Sequence, residues 1–158
     1  MRIDYCEKWF SAGKRPIKPL SEAEARRRHG ARTPYTALIG GQEAPSHVIS
    51  IAADWVSVGF LDRALREYLS YSFQEMRPGK LFLVSAGYRD FEEGGAEPVT
   101  FAMFSFKESG ELVVERRDLR SSDVQEVEHN VDVSSNWEEY PEFGEYGAVK
   151  RAEREIAR

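Results

Sequence analysis

The chain predicts an α+β fold, a single domain built mainly from an antiparallel β-meander sheet with a short N-terminal helix and a C-terminal helix. Three features lead there. From Pro34 onward apolar residues recur with a period of two, turns containing glycine or proline separate these runs at short intervals, and helical signals stand only ahead of and behind them. At 158 residues the chain is long enough for one core and too short for two ordinary ones, so residues 1–158 are read as one domain.

The first element is a helix over 21–29. Ser21 followed three residues later by Glu24 is a capping box, Glu22 and Glu24 occupy the first turn, Arg26, Arg27 and Arg28 the last, and Gly30 is placed to end it. The arginine run is explained by the helix dipole without a nucleic-acid patch. No element is assigned ahead of Ser21.

Strands follow. Residues 35–39 form a short apolar strand broken by Gly40-Gly41, and runs at 47–52 and 55–61 come next, with Val56, Val58 and Phe60 on one face. Asp62-Arg63-Ala64-Leu65 reads as a turn because Leu69, Tyr71 and Phe73 then resume alternation against Ser70 and Ser72. Pro78-Gly79 breaks the chain before a strand at 81–88, and Glu92-Glu93-Gly94-Gly95 is a loop. Strands at 99–106 and 111–116 flank Lys107-Glu108-Ser109-Gly110, a hairpin turn with glycine where positive φ is favoured. In a last strand at 124–133, Val124, Glu126 and Glu128 alternate with Gln125, Val127 and His129, which gives it an exposed acidic face. A helix over 146–156 carrying Lys150, Arg151 and Arg154 closes the chain and, with the first helix, is expected to cover the buried face of the sheet.

The net charge of −5 hides an asymmetry. Residues 1–40 hold nine Lys or Arg against four acids, whereas residues 92–145 hold fifteen acids against Lys107, Arg116, Arg117 and Arg120. Such an acidic half repels nucleic acid and attracts a basic surface, so no nucleic-acid partner is expected. The start of the chain has no apolar run followed by a cleavage site, and no segment approaches the roughly 20 apolar residues of a membrane span. A cytoplasmic location without a membrane partner is therefore expected.

Signals for catalysis are missing. His29, His47 and His129 share no metal-ligand spacing with one another or with Cys6, the single cysteine, which has no disulfide partner and no neighbour to stabilise a thiolate. No glycine-rich phosphate loop and no Gly-x-Ser-x-Gly elbow occurs. The expectation is a protein that is not an enzyme, with no catalytic residue, no metal and no cofactor. The alternatives are a small hydrolase or transferase working through paired carboxylates, whose acids would need an apolar setting to shift their pKa, and a non-catalytic adaptor protein.

What remains is a surface. In "NWEEYPEFGEY" (136–146), Trp137, Tyr140, Phe143 and Tyr146 recur every third residue between Glu138, Glu139, Glu142 and Glu145, while Pro141 and Gly144 oppose one continuous helix. Aromatic rings give recognition surfaces large rigid contacts, and charge complementarity raises association rates. The rings could equally pin the segment to the sheet, and a division is expected, some rings inward and at least one outward with the carboxylates. The candidate partner-binding residues are Glu126, Glu128, Asp132, Trp137, Glu138, Glu139, Tyr140, Glu142, Phe143 and Glu145.

The order "WVSVGFLDRALREYLSYSFQE" (55–75), "GKLFLVSAGYRDFEEG" (79–94), "FSFKESGELVVERRDL" (104–119) and "NWEEYPEFGEYGAVKRAER" (136–154) resembles small cytoplasmic immunity proteins encoded beside Rhs-type, type VI or contact-dependent polymorphic toxins of bacteria. The resemblance spans roughly residues 34–154. It implies a protein that binds one cognate toxin domain, encoded by a neighbouring gene, and blocks it by covering its active site. An acidic surface suits a target that grips nucleic acid through a basic cleft, since carboxylates can take the place of phosphates; a nuclease or deaminase domain is the first expectation.

Overall fold

The computed structural model describes residues 1–152 and 154. Its strands are β1 (Ile3–Phe10), β2 (Arg15–Leu20), β3 (Tyr35–Ile39), β4 (His47–Ile51), β5 (Trp55–Leu61), β6 (Glu67–Arg77), β7 (Lys80–Phe91), β8 (Pro98–Phe106), β9 (Glu111–Asp118), β10 (Val124–Asn130) and β11 (Trp137–Glu139). The α-helix α1 spans Glu22–Gly30. All eleven strands belong to one antiparallel sheet, ordered β10-β9-β8-β7-β6-β5-β4-β3-β1-β2, with β11 paired to β7 off this path. From β3 to β10 every strand neighbours the next in sequence, the meander that the short turns predict.

Register aligns one apolar row across the sheet. Tyr5, Ala37, Ile49, Val58, Tyr71, Ala86, Phe104 and Val114 stand opposite one another from β1 to β9, all of them buried. Burying each larger side chain in this row contributes about 1.5–3 kcal/mol, and a one-residue slip would turn the whole row to water. The adjacent row faces the other way and reads Thr36, Ser50, Ser57, Ser72, Ser85 and Ser105. The main core therefore lies on the first face, while Cys6, Thr36 and Leu38 at the β1–β3 end are buried on the second.

That face is covered by α1 and by the chain after β10. Ser21 caps α1 as expected, its Oγ accepting from the Glu24 N–H at 3.1 Å. Gly30 is the last helical residue rather than the reversal, which is made by Arg32 at φ 57. Residues 1–20, where no periodic signal predicts an element, hold the β1–β2 hairpin.

The expected C-terminal helix is corrected. Over residues 146–152 the chain makes a single turn, with the Lys150 N–H donating to the Tyr146 carbonyl at 3.2 Å and the Arg151 N–H to that of Ala148 at 3.3 Å. Residues 153, 155 and 156 of the expected helix lie outside the described residues. A helix this short is marginal in water, and tertiary anchors decide instead: Tyr146 and Val149 are buried, and Tyr71 Oη donates to the Ala152 carbonyl at 3.1 Å.

Candidate partner-binding surface

The segment from Val131 to Ala152 crosses the core face as a strap held at successive points by the sheet below. It leaves β10 where the Val131 N–H donates to the Gly110 carbonyl, and Asp132 accepts from the Ser134 N–H at 2.9 Å to open a 3₁₀ turn over Ser134–Asn136. Asn136 is buried and donates from Nδ2 to the Leu83 carbonyl at 3.0 Å. Next, β11 pairs with Lys80–Phe82 of β7, on the stretch that β8 leaves free by pairing only from Ser85 onward.

The four rings all turn inward. Trp137 packs edge-on against Phe82, and Tyr140 Oη donates to the Ala52 carbonyl at 2.9 Å. Phe143 stacks on Tyr5 with centroids 5.2 Å apart, and the Tyr146 hydroxyl meets that of Tyr35 at 2.9 Å in the core. An arginine lies over the outer side of each half-buried ring: Arg77 at 4.6 Å from Trp137, Arg32 at 3.7 Å from Tyr140 and Arg26 at 4.5 Å from Phe143. His29 reaches the same cluster, its Nδ1 2.8 Å from the Tyr35 hydroxyl. Burial, with Arg32 nearby, holds the His29 imidazole below its ordinary pKa, and the hydroxyls of Tyr35 and Tyr140 are pushed up by burial.

The strap carboxylates divide. Glu138 is 13% exposed and sits between Arg151 at 2.8 Å and Arg154 at 2.9 Å, the latter guanidinium only 1% exposed over Tyr71 and Phe73. Glu139 pairs with Lys80. Glu142 and Glu145 are exposed. Thus the paired part of this acidic run is compensated by Arg151 and Arg154 further along the chain and by Lys80 of β7, while arginines from the first forty residues and from β6 lie over its rings.

At the other end of the sheet Glu115 pairs with Arg117 and Asp118 with Arg120, but the two glutamates of β10 are uncompensated. All seven residues of β10 are exposed, and Glu126 and Glu128 make no ion pair among the described residues. The two glutamates share a face, opposite Glu115 and Val113 of β9, while Val127 stands on the core face beside Val114 and is 50% exposed. The strap does not cover this part of the core face, where a cleft of about 450 Å³ runs over Tyr88, Ala102 and Phe104 with Arg116, Asp118 and Asp123 along it. The ten candidate residues therefore fall in two places: Glu126 and Glu128 on an open edge strand, the other eight on the strap.

Sequence reasoning missed a third feature. The β1–β2 hairpin arches over the serine-rich face, Lys14 Nζ donating to the Ala64 carbonyl at 2.8 Å, and closes a groove of about 240 Å³ lined by Lys8, Trp9, Ser50, Ser57, Ser72 and Glu67. Glu67 pairs with Arg89 at 3.1 Å, and burial raises its pKa against that pull. A Cβ on Gly59 would come within 2.3 Å of Glu67 Oε1, so glycine is what lets the carboxylate lie on the sheet. Among the described residues Glu67 is the one carboxylate lining this groove. His47, the other histidine with a lowered pKa, owes the shift to burial and to Lys150.

No helix among the described residues is long and apolar enough to cross a membrane, and none of their His, Cys, Asp and Glu side chains gather in threes that could hold a metal ion. Comparison with protein-family models, with curated proteins and with solved structures gives no match.

Proposed function

We propose that the chain is a stoichiometric binding protein of the immunity type, which neutralises a cognate toxin domain in the cytoplasm by laying an acidic surface over a basic, nucleic-acid-targeting cleft. The observation that carries this reading is β10, an edge strand exposed along its whole length with Glu126 and Glu128 unpaired among the described residues. Buried charges must be paired, whereas these carboxylates stand in water on a part of the sheet that the strap leaves bare. Neighbouring Asp123 extends the acidic region, while Glu115 and Asp118 are paired with Arg117 and Arg120, and the adjacent cleft gives a partner side chain an apolar floor. The resemblance of the four segments to immunity proteins supports the same reading.

The test is co-expression with the protein encoded immediately upstream. A stable complex and rescue of growth are expected, with association slowing as salt rises because exposed charges are screened beyond about 8 Å at physiological ionic strength. A purified pair that does not associate even at low salt contradicts the reading.

A further inference from the structure

The two edges of the sheet are built differently. At one edge β2 carries Pro16 and Pro19, which have no N–H to offer, and Lys18 at φ 53, so it cannot template another strand. At the other edge β10 is seven residues long, contains neither proline nor glycine, and none of its residues has a positive φ. One edge is blunted and the other is open.

The ladder settles which backbone groups are open. At the two ends of the β9–β10 pair the Val131 N–H donates to the Gly110 carbonyl and the Asp118 N–H to the Asp123 carbonyl. Antiparallel pairs alternate between hydrogen-bonded and non-hydrogen-bonded, so Gln125, Val127 and His129 turn their N–H and C=O toward β9. Val124, Glu126, Glu128 and Asn130 turn theirs outward. The two outward-bonding positions at the middle of the strand are thus the two glutamates.

A second copy of this chain is a poor occupant. In every two-fold antiparallel register that overlaps five or more residues of β10 with itself, glutamates meet: centred on Val127, Glu126 stands against Glu128 twice, and centred on Glu126 or on Glu128, a glutamate stands against itself. Like charges directly opposite destabilise a strand pair.

We infer that β10 accepts an added strand from a basic partner, whose residues opposite Glu126, Val127 and Glu128 run basic, apolar, basic. The basic residues lie on the serine-rich face against the glutamates, and the apolar residue lies on the core face beside the half-exposed Val127 and the mouth of the uncovered cleft. This deepens the proposed function by naming where and how the partner is held, and it can fail separately from it.

The probe is a synthetic heptapeptide, Ser-Lys-Val-Lys-Val-Lys-Ser, titrated into the ¹⁵N-labelled full chain. Saturable shifts are expected at the amides of Val124, Glu126, Glu128 and Asn130, larger than those of Gln125, Val127 and His129, and the matching peptide with Glu in place of Lys should bind more weakly. The double substitution Glu126→Lys/Glu128→Lys should invert that preference, by roughly fivefold for each reversed pair. No saturable shift, shifts mapped elsewhere, or equal affinity for the two peptides overturns the inference. If the upstream-encoded protein binds the wild-type chain and the double variant equally well, the inference falls, and of the proposed function neutralisation stands but not the use of β10 for it. If β10 takes up the lysine peptide but the upstream protein does not bind, the proposed function falls and the inference stands.

Discussion

The strap and β10 share a sequence character, carboxylates interleaved with apolar side chains, and the fold uses them in opposite ways. In the strap every third residue is a ring turned into the core, each half-buried ring carries an arginine on its outer side, and Glu138 is enclosed by two more. In β10 nothing is buried and neither glutamate is paired among the described residues. What separates them is what lies beneath: the strap crosses the face lined by Tyr5, Tyr35, Tyr71 and Phe73, whereas β10 is the last strand, with a single neighbour. A run of carboxylates interleaved with apolar side chains is therefore a structural element where a core needs covering and a surface where it does not.

Several substitutions bear on that contrast. Tyr146→Ala removes a ring that is 2% exposed and the partner of the Tyr35 hydroxyl, and should cost about 3–5 kcal/mol, read as a large drop in melting temperature. Glu138→Ala strands Arg154 in its apolar site and should cost about 2 kcal/mol, a loss that Glu138→Gln restores only in part because it keeps a hydrogen-bond acceptor but no charge. At the small end, Glu126→Lys/Glu128→Lys should leave the melting temperature within a few degrees of wild type, since exposed substitutions stay within about 0.5 kcal/mol. Equal destabilisation by the strap and edge variants would erase the distinction.

Acid provides a further handle. The His29 imidazole is held below its ordinary value chiefly by burial, so as pH falls through about 6.5 the unfolded chain binds a proton that the folded chain resists. Its contribution to stability is full above that pH and declines below it. His47 shifts in the same direction, so the useful readout is a difference: between about pH 7.5 and about pH 5.5 the melting temperature of His29→Gln should fall less than that of the wild type. Parallel curves would show that His29 does not contribute.

Much of the sheet was legible because its strands alternate and its turns need glycine. Gly79 and Gly110 sit at φ 75 and φ 95 where the turns were read, and the Val124, Glu126, Glu128 face of β10 follows directly from period two. The β1–β2 hairpin was not legible, because Pro16, Pro19 and the positive φ of Lys18 interrupt alternation in the segment that makes it. Lys150, Arg151 and Arg154 look like a helix C-terminus in the sequence, yet the described residues form a turn there and Arg151 and Arg154 answer to Glu138. The inward turn of the strap rings depends on Tyr5, Arg26, Arg32 and Tyr35, about a hundred residues away, and local pattern carries no trace of such partners.

Amide hydrogen exchange on the free chain tests the central contrast most directly. Protection approaching the global stability is predicted for the Tyr140 amide, which donates to the Gly79 carbonyl, together with fast exchange at the outward amides of Glu126 and Glu128. Exchange at Tyr140 as fast as at Glu126 and Glu128 would contradict the account, because the strap would then be a loose acidic surface and not the cover of the core.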